Sequence, residues 1–153
     1  MNILVVEDDK TKCEQVARHV QATCGDNGIA AQIITKTSYQ SGLRECVKAK
    51  PDILILDMTM PTYDVAVDEP GGRPRHFAGR DILRELQRRM IVIPTVVVTG
   101  FDVIGEGSEQ CTRAELTAQL HGSFPESFRG TVFYTTSESG WKSQLTELLN
   151  QLL

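Results

Sequence analysis

The chain has 153 residues, of which 41% are hydrophobic and 24% are charged, and its formal net charge is −4. This length predicts one domain that buries a core without disulfide or metal cross-links, and the composition excludes a disordered chain. The acidic balance disfavours non-specific nucleic-acid binding, which needs clustered Lys and Arg.

We expect no export signal at the N-terminus, because the apolar run from Ile3 to Val6 passes directly into Glu7 without a basic segment before it. No apolar run reaches the length of a membrane span. The cysteines lack the CxxC spacing of a zinc site and are expected to be reduced thiols; they are Cys13, Cys24, Cys46 and Cys111. We therefore expect a cytoplasmic protein.

Apolar runs and amphipathic stretches alternate five times along the chain. The predicted strands are Ile3 to Val6, Ala30 to Ile34, Ile53 to Leu56, a segment within 91–98, and Thr131 to Tyr134. The predicted helices are about Lys10 to Cys24, Ser38 to about Lys50, the stretch around Ile82 to Leu86, Arg113 to Leu120, and the C-terminal stretch from Trp141 to Leu152. Strands that are apolar at every position are buried on both faces. The pattern predicts an α/β protein with a flavodoxin-like (βα)5 doubly wound parallel sheet, in the strand order 2-1-3-4-5.

Three acids follow two strands that are neighbours in this order. Glu7 and Asp8 end the first strand and Asp57 ends the third, so their carboxylates are expected to meet at the ligand-binding edge of the sheet. Their repulsion favours a bound cation, and oxygen ligands suit Mg²⁺. An aspartate beside such a cation can attack a phosphoryl group and form an acyl phosphate.

The fourth strand ends in a second polar feature at the same edge. Thr99 can offer its hydroxyl to a phosphoryl oxygen, and Gly100 leaves its backbone N–H accessible. The simpler interpretation is that all of these are solvated turn residues. Two strands ending in acids and a third ending in Thr-Gly favour the metal and phosphoryl site. Asp9 is predicted to cap the first helix.

Three segments of the chain resemble response-regulator receiver domains of two-component signalling. They are ILVVEDD at 3–9, PDILILDMTMP at 51–61 and VVVTG at 96–100. The resemblance implies that Asp57 is the phospho-acceptor, that Glu7 and Asp8 bind Mg²⁺ with Asp57 and the backbone carbonyl of Thr59, and that Thr99 is the switch hydroxyl beside Gly100.

The resemblance also implies a function and partners. The domain would receive its phosphoryl group from a sensor histidine kinase or a phosphotransfer protein. It would not act on an external substrate, and would at most catalyse its own phosphotransfer and dephosphorylation. A downstream protein or a second copy would bind the face of helix 4, strand 5 and helix 5. We expect one receiver domain over residues 1–153, with enlarged loops at about 61–79 and 101–130 and no output domain.

The chain departs from the family pattern at one charged position. Receivers usually carry a Lys at the end of the fifth strand, and here Tyr134 or Ser137 takes its place. The enlarged first loop contains Arg73, Arg75 and Arg80. These arginines are either solvated, or one of them supplies the missing positive charge, since guanidinium suits phosphate contact.

Two other functions remain open at this stage. The missing Lys favours a pseudo-receiver that binds partners without phosphorylation, whereas the intact Glu7, Asp8, Asp57 and Thr99 oppose it. A phosphatase or phosphotransferase acting on an external substrate would need a dedicated general acid near Asp57, and the sequence offers none.

Overall fold

A computed structural model describes residues 1–66, 73–100 and 103–153 of the chain. Its helices are α1 (Lys10–Asp26), α2 (Tyr39–Ala49), α3 (Ala78–Arg88), α4 (Arg113–Ser123) and α5 (Gly140–Asn150). Its strands are β1 (Asn2–Val6), β2 (Gln32–Lys36), β3 (Ile53–Leu56), β4 (Thr95–Thr99), β5 (Val103–Ile104), β6 (Cys111–Thr112) and β7 (Phe128–Phe133). In the described part of the chain, no helix has both the length and the apolar character needed to cross a bilayer.

Five strands form one parallel sheet in the order β2-β1-β3-β4-β7. The predicted α/β class and the predicted order 2-1-3-4-5 are confirmed, and β7 is the predicted fifth strand. The numbering differs because the long connection after β4 contains β5 and β6, which pair as a small antiparallel sheet.

The ends of two strands were predicted wrongly. β2 runs from Gln32 to Lys36 rather than from Ala30 to Ile34. It is an edge strand whose residues are exposed or half-buried, so it can end in the polar residues Thr35 and Lys36. β7 begins at Phe128 rather than at Thr131. Thr95 pairs with Phe128 and Val96 pairs with Gly130, so Arg129 is an extra residue that breaks the apolar pattern.

The core lies on both faces of the sheet, because successive strand residues point to opposite sides. On β1, Leu4 and Val6 face the apolar cluster that includes side chains of α2, α3 and α4. Ile3 and Val5 face the cluster built from α1 and α5, in which Trp141 is buried. The sheet is therefore held rigidly, and its carboxyl edge positions the functional site.

Side-chain caps fix the start of the first two helices. Oδ1 of Asp9 accepts a hydrogen bond of 2.9 Å from the backbone N of Lys12, as expected for the N-cap of α1. Ser38 caps α2 by accepting from the backbone N of Ser41. The Asp9 cap sets the direction in which the first turn of α1 leaves the acidic edge.

The first enlarged loop is closed at its base by backbone hydrogen bonds. Met60 and Arg75 pair as an antiparallel bridge, each donating its N–H to the other's carbonyl. The carbonyl of Pro61 accepts from the N–H of Tyr39, which otherwise has no partner in the first turn of α2. Residues 67–72 of this predicted loop, and residues 101–102 of the second one, lie outside the described residues.

Candidate functional site

The carboxyl ends of the central strands open into a cavity of about 810 Å³. Residues from α1, from the loops after β1, β3, β4 and β7, and from the connection containing β5 line it. They are Glu7, Asp8, Asp9, Lys12, Asp57, Thr59, Pro74, His76, Gly100, Ile104, Gly105, Glu106, Tyr134, Thr135, Thr136 and Ser137. Most of the residues singled out by the sequence therefore meet in one place.

Three carboxylates lie at the floor of this cavity. Glu7, Asp8 and Asp57 each offer an oxygen, and these oxygens lie within 4.8 Å of one another. Glu7 is 4% exposed and Asp57 is 5% exposed, whereas Asp8 faces solvent. The backbone N of Asp57 donates to the carbonyl of Val6 at 3.0 Å, so the parallel pairing of β1 with β3 holds the acids together.

A buried lysine lies among these acids, and the sequence did not predict it. Nζ of Lys12 lies 2.5 Å from Oε2 of Glu7 and 3.1 Å from Oδ1 of Asp57. It also donates a hydrogen bond of 2.9 Å to the carbonyl oxygen of Val98, in β4. Lys12 is only 6% exposed, so the whole side chain is enclosed between α1 and the edge of the sheet.

The position of Lys12 on α1 contains a signal for its burial. It precedes Val16 and Val20 by one and two helical turns, and both valines are buried. A lysine on the same helix face as buried apolar residues has its Cα next to the core. Its long side chain can then place the ammonium beside nearby acids. Lys12 lies in the first helix predicted from the sequence and was not assigned to the site there.

Burial governs the electrostatics of the cluster. It raises the pKa of Glu7 to about 8, with a further contribution from the negative charge of Asp57. It also raises the pKa values of Asp57 and Asp8 above their ordinary range. Burial works against the Lys12 ammonium, but Asp57 and Glu7 outweigh this effect and raise the pKa of Lys12. Positive charge beside Glu7 and Asp57 therefore favours the ionised forms of these two buried acids.

The donor set fits a hard divalent cation. Carboxylate oxygens converge at one point, and Oδ1 of Asp57 is buried without a hydrogen bond from any described residue, although the Lys12 ammonium lies close to it. An incomplete cage of oxygens that leaves room for water is what Mg²⁺ prefers. Glu7, Asp8 and Asp57 are the side chains that would hold it.

The remaining predicted site residues lie around the acids. Thr59 lines the cavity, and its hydroxyl donates to the carbonyl of His76 at 3.1 Å. Gly100 also lines it, and a Cβ there would find only the carbonyl oxygen of Tyr134, at 3.7 Å. Thr99 is fully buried at the end of β4.

The structure decides between the two residues proposed for the position of the missing Lys. Tyr134 follows β7 directly, and its backbone N donates to the carbonyl of Thr99 at 2.9 Å. Its ring centroid lies 5.8 Å from Nζ of Lys12. Ser137 lies three residues further on, at the cavity wall. Tyr134 therefore occupies the strand-end position, and it packs over the cation instead of supplying one.

The hypothesis that a loop arginine supplies the missing charge is not supported. Arg73 pairs with Glu106, and Arg75 pairs with Asp81 and stacks on Tyr39. The guanidinium of Arg80 lies 4.1 Å from the ring centroid of Phe77. None of the three lines the cavity formed by the described residues. The cation next to Asp57 comes from α1 instead.

No family model matches the chain. The Detocs response regulatory protein DtcB of Enterobacter cloacae (strain JD6301) is 32% identical over 157 residues, covering 99% of this chain and 100% of that protein. The uncharacterized protein y4jR of Sinorhizobium fredii is 28% identical over 148 residues, covering 95% of this chain and 94% of that protein.

Solved structures resemble the chain over almost its whole length. A DNA-binding response regulator of the LuxR family from Staphylococcus aureus has a TM-score of 0.62 at 14% identity, covering 99% of this chain and 97% of that one. The response regulator domain of Thermotoga maritima CheB has a TM-score of 0.60 at 15% identity, covering 99% of this chain and 92% of that one. At these identities the likeness shows a shared fold.

Proposed function

Because the chain belongs to the response-regulator receiver family, we propose that it accepts a phosphoryl group on Asp57 in a two-component or phosphorelay pathway. One observation carries the proposal. Asp57 lies at the end of the central strand β3, buried at the floor of a cavity beside Glu7 and Asp8. Its buried Oδ1 lies 3.1 Å from the Lys12 ammonium.

The arrangement suits transfer to a carboxylate. A carboxylate oxygen of Asp57 forms a bond to phosphorus, the bond from phosphorus to the donor breaks, and the leaving group keeps the electron pair. Mg²⁺ held by Glu7, Asp8, Asp57 and the Thr59 carbonyl would neutralise charge on the phosphoryl oxygens. Gly100 has no side chain to obstruct the phosphoryl group, and Thr99 is proposed as the switch hydroxyl that senses it.

The proposed partners follow from this chemistry. A sensor histidine kinase or a phosphotransfer protein in the cytoplasm would donate the group, and its phosphohistidine side chain would have to reach Asp57 through the cavity. A downstream protein or a second copy would read the state of the domain on the face formed by α4, β7 and α5. The protein would act as a phospho-acceptor and not as an enzyme for external substrates.

The test is direct phosphorylation. The protein is incubated with acetyl phosphate and Mg²⁺, and intact mass and peptide mapping locate the label. One phosphoryl group on Asp57 is expected. Asp57→Asn is nearly isosteric and should remove the label, whereas Asp26→Asn, an exposed aspartate at the end of α1, should keep it. Label retained by Asp57→Asn would refute the assignment.

The pseudo-receiver alternative rested on the missing Lys. Lys12 places an ammonium 3.1 Å from Asp57, so the site does contain a cation. The same experiment separates the two functions, since a pseudo-receiver would stay unlabelled with either phosphodonor or kinase.

A further inference from the structure

The cation at Asp57 is built into the fold by three separate contacts. The ammonium of Lys12 is paired with Glu7 and Asp57, and it donates to the carbonyl of Val98. A charge in an apolar interior is costly unless partners surround it. Lys12 has these partners only because α1 begins immediately after the acids, with Asp9 as its cap.

Lys12 and Tyr134 occupy complementary positions. Tyr134 follows β7 and lines the same cavity, where its ring lies over the ammonium. Its hydroxyl donates to Oε1 of Gln15 at 2.9 Å, which ties the strand end to α1. An aromatic ring thus stands at the end of β7, and the cation comes from the facing helix.

We propose that Lys12 contacts the phosphoryl group on Asp57 and stabilises its transfer, having exchanged places with the bulky side chain at the end of β7. This inference rests on the proposed function. Transfer turns a singly charged carboxylate into an acyl phosphate, which carries the negative charge of the phosphoryl oxygens. The ammonium already lies at the reacting carboxylate, so the added charge develops within its reach. Lys12 gives up no proton in this step.

Charge-assisted hydrogen bonds to phosphate are among the stronger ones in proteins. A donor that is fixed before the reaction costs no reorganisation when the charge develops. Lys12 meets this condition because its side chain is enclosed and its ammonium is anchored to Val98. Removing it should slow the transfer and weaken the binding of phosphoryl analogues.

The experiment compares the initial rate of labelling by acetyl phosphate, per folded molecule, in four proteins. Lys12→Met keeps an unbranched side chain and removes the charge. Lys10→Met is the matched control, an exposed lysine on the same helical turn. The double variant Lys12→Met/Tyr134→Lys moves the cation to the end of β7. The lysine introduced at position 134 would also give Glu7 and Asp57 a cationic partner, which keeps the comparison possible if Lys12→Met folds poorly.

Lys12→Met should label roughly 100-fold more slowly than the wild-type protein, as expected for the loss of one preorganised donor. Lys10→Met should label at the wild-type rate, and the double variant should recover most of the loss. The ¹⁵Nζ resonance of Lys12, identified by its absence in Lys12→Met, should also shift when beryllofluoride and Mg²⁺ are added to the wild-type protein.

Three results would overturn the inference. The first is wild-type labelling by Lys12→Met, and the second is a folded double variant that stays slow. The third is a Lys12→Met variant that binds Mg²⁺ more tightly and labels at least as fast, because Lys12 would then be a stand-in for the metal. A wild-type protein that takes no label refutes the proposed function and this inference together, whereas the first three results leave Asp57 as the acceptor.

Discussion

The backbone of Gly79, in the first turn of α3, lies directly against the carbonyl oxygen of Asp57. A Cβ added to Gly79 would overlap that oxygen. The backbone N of Gly79 also donates to the carbonyl of Met58 at 3.1 Å. The start of α3 therefore supports the loop that begins at Asp57, even though the enlarged loop separates the two in sequence.

This contact predicts a large effect of one methyl group. Gly79→Ala should destabilise the protein by about 1–3 kcal/mol, the usual cost of overpacking a closed site, since either α3 or the Asp57 loop has to move. Urea unfolding measures the change. Gly122→Ala is the control, because a Cβ at Gly122 in α4 meets no atom within 4 Å. Equal stability of the two variants would mean that α3 does not support the Asp57 loop.

The acidic cluster predicts stabilisation by Mg²⁺. An ion that binds only the folded state adds about 2.7 kcal/mol at about 100 times its Kd, so Mg²⁺ should raise Tm by roughly 5–10 °C. Asp8→Ala should abolish the shift, because it removes the solvent-facing ligand. Asp26→Ala should retain it. Differential scanning calorimetry with and without Mg²⁺ measures both, and a full shift in Asp8→Ala would place the metal elsewhere.

The carboxylate of Asp64, which lies outside the acidic cluster, gives a pH-dependent prediction. Hydrogen bonds from Ser38 and Ser41 lower the pKa of Asp64, and Oγ of Ser41 lies 2.7 Å from Oδ1 of Asp64. The stabilisation by Asp64 is complete above its unfolded pKa of about 4, and it is lost as pH falls through the lower folded value. Asp64→Asn should therefore be less stable than the wild-type protein at neutral pH.

The difference in unfolding free energy between Asp64→Asn and the wild-type protein should shrink as pH falls below about 4, because the wild-type carboxylate then becomes protonated. Urea titrations at several pH values measure this difference. A difference that stays constant from neutral to acidic pH would show that the hydrogen bonds to Asp64 do not depend on its charge.

The pairing of the loop arginines predicts that Arg73 does not contribute to phosphorylation, contrary to the hypothesis that a loop arginine supplies the missing charge. Arg73 is paired with Glu106 and its side chain is 86% exposed. Arg73→Ala should label with acetyl phosphate at the wild-type rate, because the arginine lies outside the cavity lining. A marked loss of rate in Arg73→Ala would restore the view that the loop supplies a cation to the phosphoryl group.

The sheet was predictable where burial alone determines it. β3 was predicted without error, because every one of its residues is buried and apolar. β7 was shortened in the prediction, since the extra residue Arg129 interrupts the pattern that identifies a strand. The hydrophobic periodicity of the sequence does not reveal such a bulge, because the bulge arises from the pairing of β7 with β4.

The site was predictable to the extent that it depends on strand ends. Glu7, Asp8 and Asp57 end neighbouring strands, and topology alone brings them together. Lys12 was missed because it lies inside α1, four residues after Asp8, and only its long side chain reaches the acids. Lysine is almost always exposed, so its residue type argued against the buried position that the helix assigns to it.

The positions of Lys12 on α1 and Tyr134 after β7 affect how relatives of this chain should be classified. A pattern that tests only the residue after the last strand of the sheet would label this protein degenerate. The carboxylate of Asp57 nevertheless has an ammonium at 3.1 Å. Sorting functional from vestigial members therefore requires asking which charges converge on the acceptor in three dimensions, whichever segment of the chain contributes them.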